Sequence, residues 1–261
     1  MDLLILLSMG ALAGLLAGLL GIGGGLVIVP VLALVFAGQG VNGSVIMHLA
    51  IGTSLATIVT TSLSSIRAHH RRGAVEWPVF ARITPGIILG GILGSSLAAV
   101  LPSDILRLAF AVFLLLVAIR MAFDVVPGPH RQLPGRPGMT LAGTLIGAVS
   151  TLMGIGGGTL SVPFLTWCNV GVRRAVATSA AIGLPIAVTG TILYMMTGWK
   201  QDGLPAMSLG YINLPAYAGI VVASVLFAPL GARLAHRIPE RLLKRFFAAF
   251  LALLGMKLLL G

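Results

Sequence analysis

Acidic side chains are scarce in this chain: six Asp and Glu stand against seventeen Lys and Arg, and the charged types together make up 9% of 261 residues. So few carboxylates leave no obvious proton relay or sodium site, because intramembrane sites of that kind are built from Asp, Glu or His. Cysteine is scarcer still. Its single copy, Cys168, excludes an internal disulfide and any multi-cysteine metal site in a monomer, and no cofactor is expected. The net charge of +11 is not read as a nucleic-acid footprint. The basic residues sit between apolar spans, where positive charge ordinarily marks cytoplasmic loops.

What is abundant is apolar. Hydrophobic residues make up 57% of the chain, and the apolar runs repeatedly reach the ~20 residues that a helix needs to cross a hydrocarbon core. The expected class is an all-α, multi-pass membrane protein whose surroundings are the lipid bilayer. The opening "MDLLILLSMGALAGLLAGLL" has no basic n-region and no small-residue cleavage site, so it is expected to remain as structure.

Two stretches then raise a question. "LLGIGGGLVIVPVL" (Leu19 to Leu32) and "LMGIGGGTLSVPFL" (Leu152 to Leu165) share nine of fourteen positions, glycine-rich interruptions inside otherwise helix-forming sequence. The likeness continues from "LPSDILRLAFAVFLLLVAIR" (Leu101 to Arg120) to "IPERLLKRFFAAFLALLGMK" (Ile238 to Lys257), and Pro78 pairs with Pro215. The chain is a tandem duplication: a first repeat over 1–126, a linker over 127–138 containing "PGPHRQLPGRPG", and a second repeat over 139–261. Each repeat offers an apolar stretch broken by GIGGG and then three ordinary spans. They run roughly 3–37, 44–66, 77–100 and 104–126, then 139–168, 175–197, 212–235 and 239–260. Leu26 to Ala37 would make a helix only ~18 Å long, too short for ~30 Å of hydrocarbon.

Charge orients the repeats. "IRAHHRRGAVEW" carries Arg67, Arg71 and Arg72, whereas its counterpart "TGWKQDGLPAMSLGY" balances Lys200 with Asp202. In the next pair the bias reverses, with "LPSDILR" nearly bare and "ARLAHRIPERLLKR" strongly basic. Equivalent loops are therefore expected on opposite sides. The arrangement that puts most Lys and Arg in the cytoplasm has two inverted-topology repeats, both termini outside and the linker inside. Each broken segment then enters and leaves on one face, with GIGGG at the tip of a re-entrant hairpin.

Non-helical backbone at membrane depth is tolerated only where it is buried in protein or lines a polar cavity. Two tips meeting near the midplane would build one. The short helix after each tip presents unpaired N–H groups and a partial positive charge, which suits a small anion. The candidate binding residues are Gly23, Gly24, Gly25, Gly156, Gly157, Gly158 and Thr159 at the tips, with Thr53 and Ser54 of one second span and Thr178 and Ser179 of the other. Pro185 is expected to break the second of these spans. His48, ionisable and inside a span, is a candidate for coupling or gating. Gly10, Gly14 and Gly18, spaced by four, read as helix packing. Trp77, Trp199 and Tyr211, at span ends, read as interfacial anchors.

Paired G-x-G-G-G-x-x-x-x-P elements half a chain apart, the "ATS" at Ala177 to Ser179 and "LGYINLPA" (Leu209 to Ala216) resemble the TauE/SafE sulfite-exporter family over nearly the whole chain. The resemblance implies a bacterial cytoplasmic-membrane transporter of sulfite, thiosulfate or organosulfonates. The competing reading is an intramembrane enzyme pairing His48 with a serine. Against it stand the missing nucleophile-elbow signature and the duplication, which alternating access explains and catalysis does not.

Overall fold

A computed structural model describes residues 24–123, 132–235 and 240–260. Gly10, Gly14, Gly18 and Gly23, the linker up to residue 131 and Arg237 lie outside the described residues. Those described form nine helices and no strand: α1 (Gly25–Gly38), α2 (Gly43–His70), α3 (Trp77–Val100), α4 (Ser103–Ala122), α5 (Arg136–Met153), α6 (Gly158–Trp167), α7 (Val172–Gly198), α8 (Leu214–Ala235) and α9 (Glu240–Leu260). Four of them, α2, α3, α4 and α7, are long and apolar enough to cross a membrane.

Local chemistry places the ends. Asn42 caps α2 by accepting the Ser44 N–H at 3.1 Å. Pro78 and Pro137 sit in the first turns of α3 and α5, where a missing N–H costs nothing. Gly154 ends α5 in the left-handed region, with φ 66° and ψ 30°. Its turn is closed by Ile155 N–H on the Ser150 carbonyl at 2.9 Å and by Gly154 N–H on the Thr151 carbonyl. Helices α1 and α6, which follow the two glycine motifs, have 14 and 10 residues. At ~1.5 Å per residue both are too short to span a bilayer. Each also holds a proline, Pro30 or Pro163, which leaves the carbonyl four residues earlier without its helical donor.

Pro185 does not break its helix. Helix α7 runs unbroken through it, because one lost backbone bond is tolerated where neighbouring helices hold the segment. Tyr211 is not an interfacial anchor either. It is 7% exposed, because the segment before α8 folds back and its ring lies on Gly198, where any side chain would collide with it. Trp77 and Trp199 do remain exposed.

Glycine sets how the helices pack. Gly86 lies on Thr140, Gly90 on Thr144 and Gly94 on Ala148, while Gly143 and Gly147 answer against Ile83 and Ile87. Helices α3 and α5 therefore run parallel, backbone against backbone, as small residues allow. Helices α2 and α7 run antiparallel: Gly52 meets Tyr194, Leu55 meets Gly190 and Ser62 meets Gly183. Helix α3 runs alongside α7 in the same direction, Glu76 beside Arg174 and Gly91 beside Thr189. Helix α8 starts along α2 in the same direction, through Asn213 to Thr53 and Tyr217 to Thr60. Gly255 of α9 meets Ala111 of α4, and Leu258 lies near Ser103, so this pair is antiparallel. Outward-facing Leu89, Leu93 and Leu97 of α3 and Val112, Leu116 and Ile119 of α4 form apolar ridges that water would not cover.

Candidate functional site

The two glycine motifs touch. A Cβ added to Gly25 would stand 2.7 Å from the Gly154 carbonyl oxygen and 2.9 Å from Ile155 Cα, so only glycine lets the first tip rest on the second. The same carbonyl accepts the Ser54 hydroxyl at 2.8 Å. On its other side the second tip rests on α7: a Cβ on Gly157 would lie 2.5 Å from the Ser179 carbonyl oxygen and 2.8 Å from Gly183 N. Ser54 is twelfth of 28 residues in α2 and Gly183 twelfth of 27 in α7, so both contacts fall near mid-length of long antiparallel helices. Gly24 has φ 61°, a conformation that favours glycine. Gly156 is buried and Gly158 half-buried at the start of α6.

The structure buries all five predicted hydroxyl residues but leaves only one of their oxygens free. Thr53 accepts the Asn213 N–H at 2.9 Å and Thr178 accepts the Glu76 N–H at 3.0 Å. The two bonds are alike: in each, the residue just before a helix, α8 or α3, donates to a Thr-Ser pair, in α2 or α7. Ser54 is committed to Gly154, and Ser179 donates to the Val176 carbonyl at 2.8 Å. Thr159 is buried with no partner for its hydroxyl.

Sequence reasoning missed two further buried hydroxyls that flank the second glycine motif along the chain. Ser161, in the first turn of α6, and Ser150, in the last turn of α5, are both 0% exposed, and neither hydroxyl has a partner. The signal was available in the motif alignment, where Thr159 and Ser161 stand opposite Leu26 and Ile28. Buried polar groups are almost always hydrogen-bonded, so orphaned hydroxyls on both sides of one helix break mark polar, unfilled bonding capacity. Among the described residues no Lys, Arg, Asp or Glu is buried, so the positive potential here comes from backbone. The Ser161 N–H is the first in α6 to bond back, to the Gly157 carbonyl at 2.9 Å.

His48 lies apart from the tips. Its ring stacks on Tyr211 with centroids 4.9 Å apart, Nε2 faces the Ala98 carbonyl at 3.0 Å, and Nδ1 is buried without a partner. It makes no hydrogen bond to a serine, so the geometry a serine hydrolase needs is not assembled around it. Among the described residues no group of three His, Cys, Asp or Glu could hold a metal ion.

Comparison with known proteins agrees with this architecture. Residues 6–258 match the family described as sulfite exporter TauE/SafE. A probable membrane transporter protein of Haemophilus influenzae is 36% identical over 259 residues, covering 99% of this chain and 98% of that protein. One of Methanocaldococcus jannaschii is 29% identical, covering 98% and 95% respectively. No solved structure matches.

Proposed function

The chain belongs to the sulfite exporter TauE/SafE family, and from that premise we propose that it transports a small sulfur-containing anion such as sulfite, thiosulfate or an organosulfonate across the cytoplasmic membrane. The observation that carries the reading is the meeting of Gly25 with Gly154 near the middle of the helical bundle. Two half-helices, α1 and α6, start beside that junction, and helix N-termini favour anions by roughly 0.3 to 2 kcal/mol each. An anion of this size can be held by amides and hydroxyls without a buried arginine. The transporter names of the two relatives support the same class.

The repeats are inverted in this reading. Three pairs of equivalent spans, α2 with α7, α3 with α8 and α4 with α9, run in opposite directions by the contacts described above. Both chain termini then lie outside, and the linker lies inside. Alternating access follows by rocking one repeat against the other around the tips. The bonds that cross between repeats would break in alternation: Thr53 with Asn213 in one state, and Thr178 and Arg174 with Glu76 in the other.

Purified protein in liposomes loaded with radiolabelled thiosulfate tests this directly. Release faster than from empty-protein liposomes is expected, together with competition by a sulfonate and none by its uncharged sulfonamide. Equal competition by the two would refute an anion site built from backbone dipoles.

A further inference from the structure

We infer that the start of the α3–α5 pair is a binding site for an anionic phospholipid, with Arg82 and Arg136 holding its phosphodiester and the outer face of α3 receiving an acyl chain. The inference goes beyond the transport reading and depends neither on the glycine tips nor on the identity of the transported anion.

The register of the two helices brings the arginines together. Gly86 lies on Thr140, Gly90 on Thr144 and Gly94 on Ala148, the same offset at every turn of two parallel backbones in contact. Carried one turn back toward the helix starts, that offset sets Arg82 beside Arg136. Both residues are exposed, and neither has a salt bridge among the described residues. Other arginines near helix starts are answered. Arg107 of α4 has Asp104 one turn earlier, and Arg174 of α7 has Glu76. One turn before Arg82 stand Pro78 and Val79, and one turn before Arg136 stand Gln132 and Leu133, none of them acidic. Arg136 is also the first residue of α5, where the helix dipole is itself positive and disfavours a cation. Two guanidinium groups on adjoining helices therefore repel without a counter-charge. A phosphodiester placed between them removes the repulsion, because each guanidinium fork matches a pair of phosphate oxygens.

Depth and surroundings decide whose phosphate it is. Arg82 is the sixth residue of α3, so it lies ~7.5 Å along the axis from Trp77. Trp77 is an exposed aromatic at a span end, of the kind that sits at headgroup level. An arginine that far into the helix reaches back along its own stem to the lipid phosphates. The stripe that continues from Arg82 along α3 is exposed and apolar, through Pro85, Leu89, Leu93 and Leu97, and α5 exposes Leu141 and Leu145. A ligand with an anionic head and a hydrocarbon tail uses both features, whereas free phosphate uses only the arginines. Basic sites between membrane helices on the cytoplasmic side suit such headgroups, and the inverted arrangement puts this end of the bundle inside.

The test is lipid titration of the purified full chain in neutral detergent, read by native mass spectrometry, with phosphatidylglycerol and phosphatidylcholine as probes and inorganic phosphate as competitor. The wild type should bind phosphatidylglycerol at least tenfold more tightly than phosphatidylcholine, and excess inorganic phosphate should not displace it. Arg82→Gln and Arg136→Gln should each weaken phosphatidylglycerol binding by threefold or more, and together by tenfold or more. Both side chains are exposed and without a salt bridge among the described residues, so the variants should melt with the wild type. Arg72→Gln with Arg173→Gln removes the same charge from exposed positions at the same end and should leave affinity within twofold. Equal binding of the two lipids, displacement by inorganic phosphate, wild-type affinity in the Arg82 and Arg136 double variant, or an equal loss in the Arg72 and Arg173 control overturns the site. No transported anion enters the measurement, so each of those results leaves the transport reading standing.

Discussion

Replacing Gly157 with alanine isolates the contribution of the second tip. Its backbone is already helical, at φ −61° and ψ −23°, so alanine meets no torsional strain and the entire effect is steric. The added methyl would stand 2.5 Å from the Ser179 carbonyl oxygen and 2.8 Å from Gly183 N, both backbone atoms in the middle of α7. Ordinary contact begins near 3.4 Å, so the tip must retreat from α7 by roughly 1 Å. Overpacking of this kind typically costs about 1 to 3 kcal/mol, a fall of several degrees in melting temperature. The same displacement moves the start of α6, and misplacing a binding group by ~1 Å can slow a reaction by as much as 100-fold. Gly171→Ala is the matched control, since nothing lies within 4 Å of a Cβ there. Thermal unfolding and thiosulfate flux in liposomes, measured on the two variants side by side, should show a stable and active Gly171→Ala and a destabilised, slow Gly157→Ala. If Gly157→Ala matches Gly171→Ala in both, the close approach of tip and helix has no energetic or functional weight and the site argument fails with it.

Gly90→Ala should lower the melting temperature more than Gly38→Ala, because its methyl would run into the Thr144 backbone of α5 whereas Gly38 has open space. Size-exclusion profiles after heating will rank them. Ser54→Ala leaves the Gly154 carbonyl without its hydroxyl donor and should cost about 1 to 3 kcal/mol of stability, read from unfolding in denaturant. In a protein with Cys168 replaced, single cysteines at the exposed positions Asp104 and Gln201 should react with an impermeant thiol reagent from outside, and one at Gly135 should not. Labelling of Asp104 and Gly135 from the same side would refute the inverted arrangement.

The helical, membrane-embedded class was legible in the sequence because it depends on local quantities. Hydropathy and run length decide whether a segment prefers lipid, and α2, α3, α4 and α7 fall close to the spans read from them. The likeness of the two glycine motifs was equally plain, since nine shared positions in fourteen need no coordinates. So was the shortness of the segments after GIGGG, which follows from residue count and helical rise. Tertiary structure decided everything that depends on which surfaces meet. Nothing local to Gly25 says that it rests on the Gly154 carbonyl, or to Tyr211 that it stacks on His48. Pro185 looked like a break because proline removes a helical bond, and neighbouring helices hold α7 through it. Above all, the polarity of Thr53, Ser54, Thr159, Thr178 and Ser179 was visible from the start, but not which hydroxyls were already taken. A hydroxyl's partner can lie a hundred residues away, as the Gly154 carbonyl does for Ser54. Only the packed chain therefore distinguishes the oxygens that hold the fold from Thr159, Ser161 and Ser150, which it leaves free.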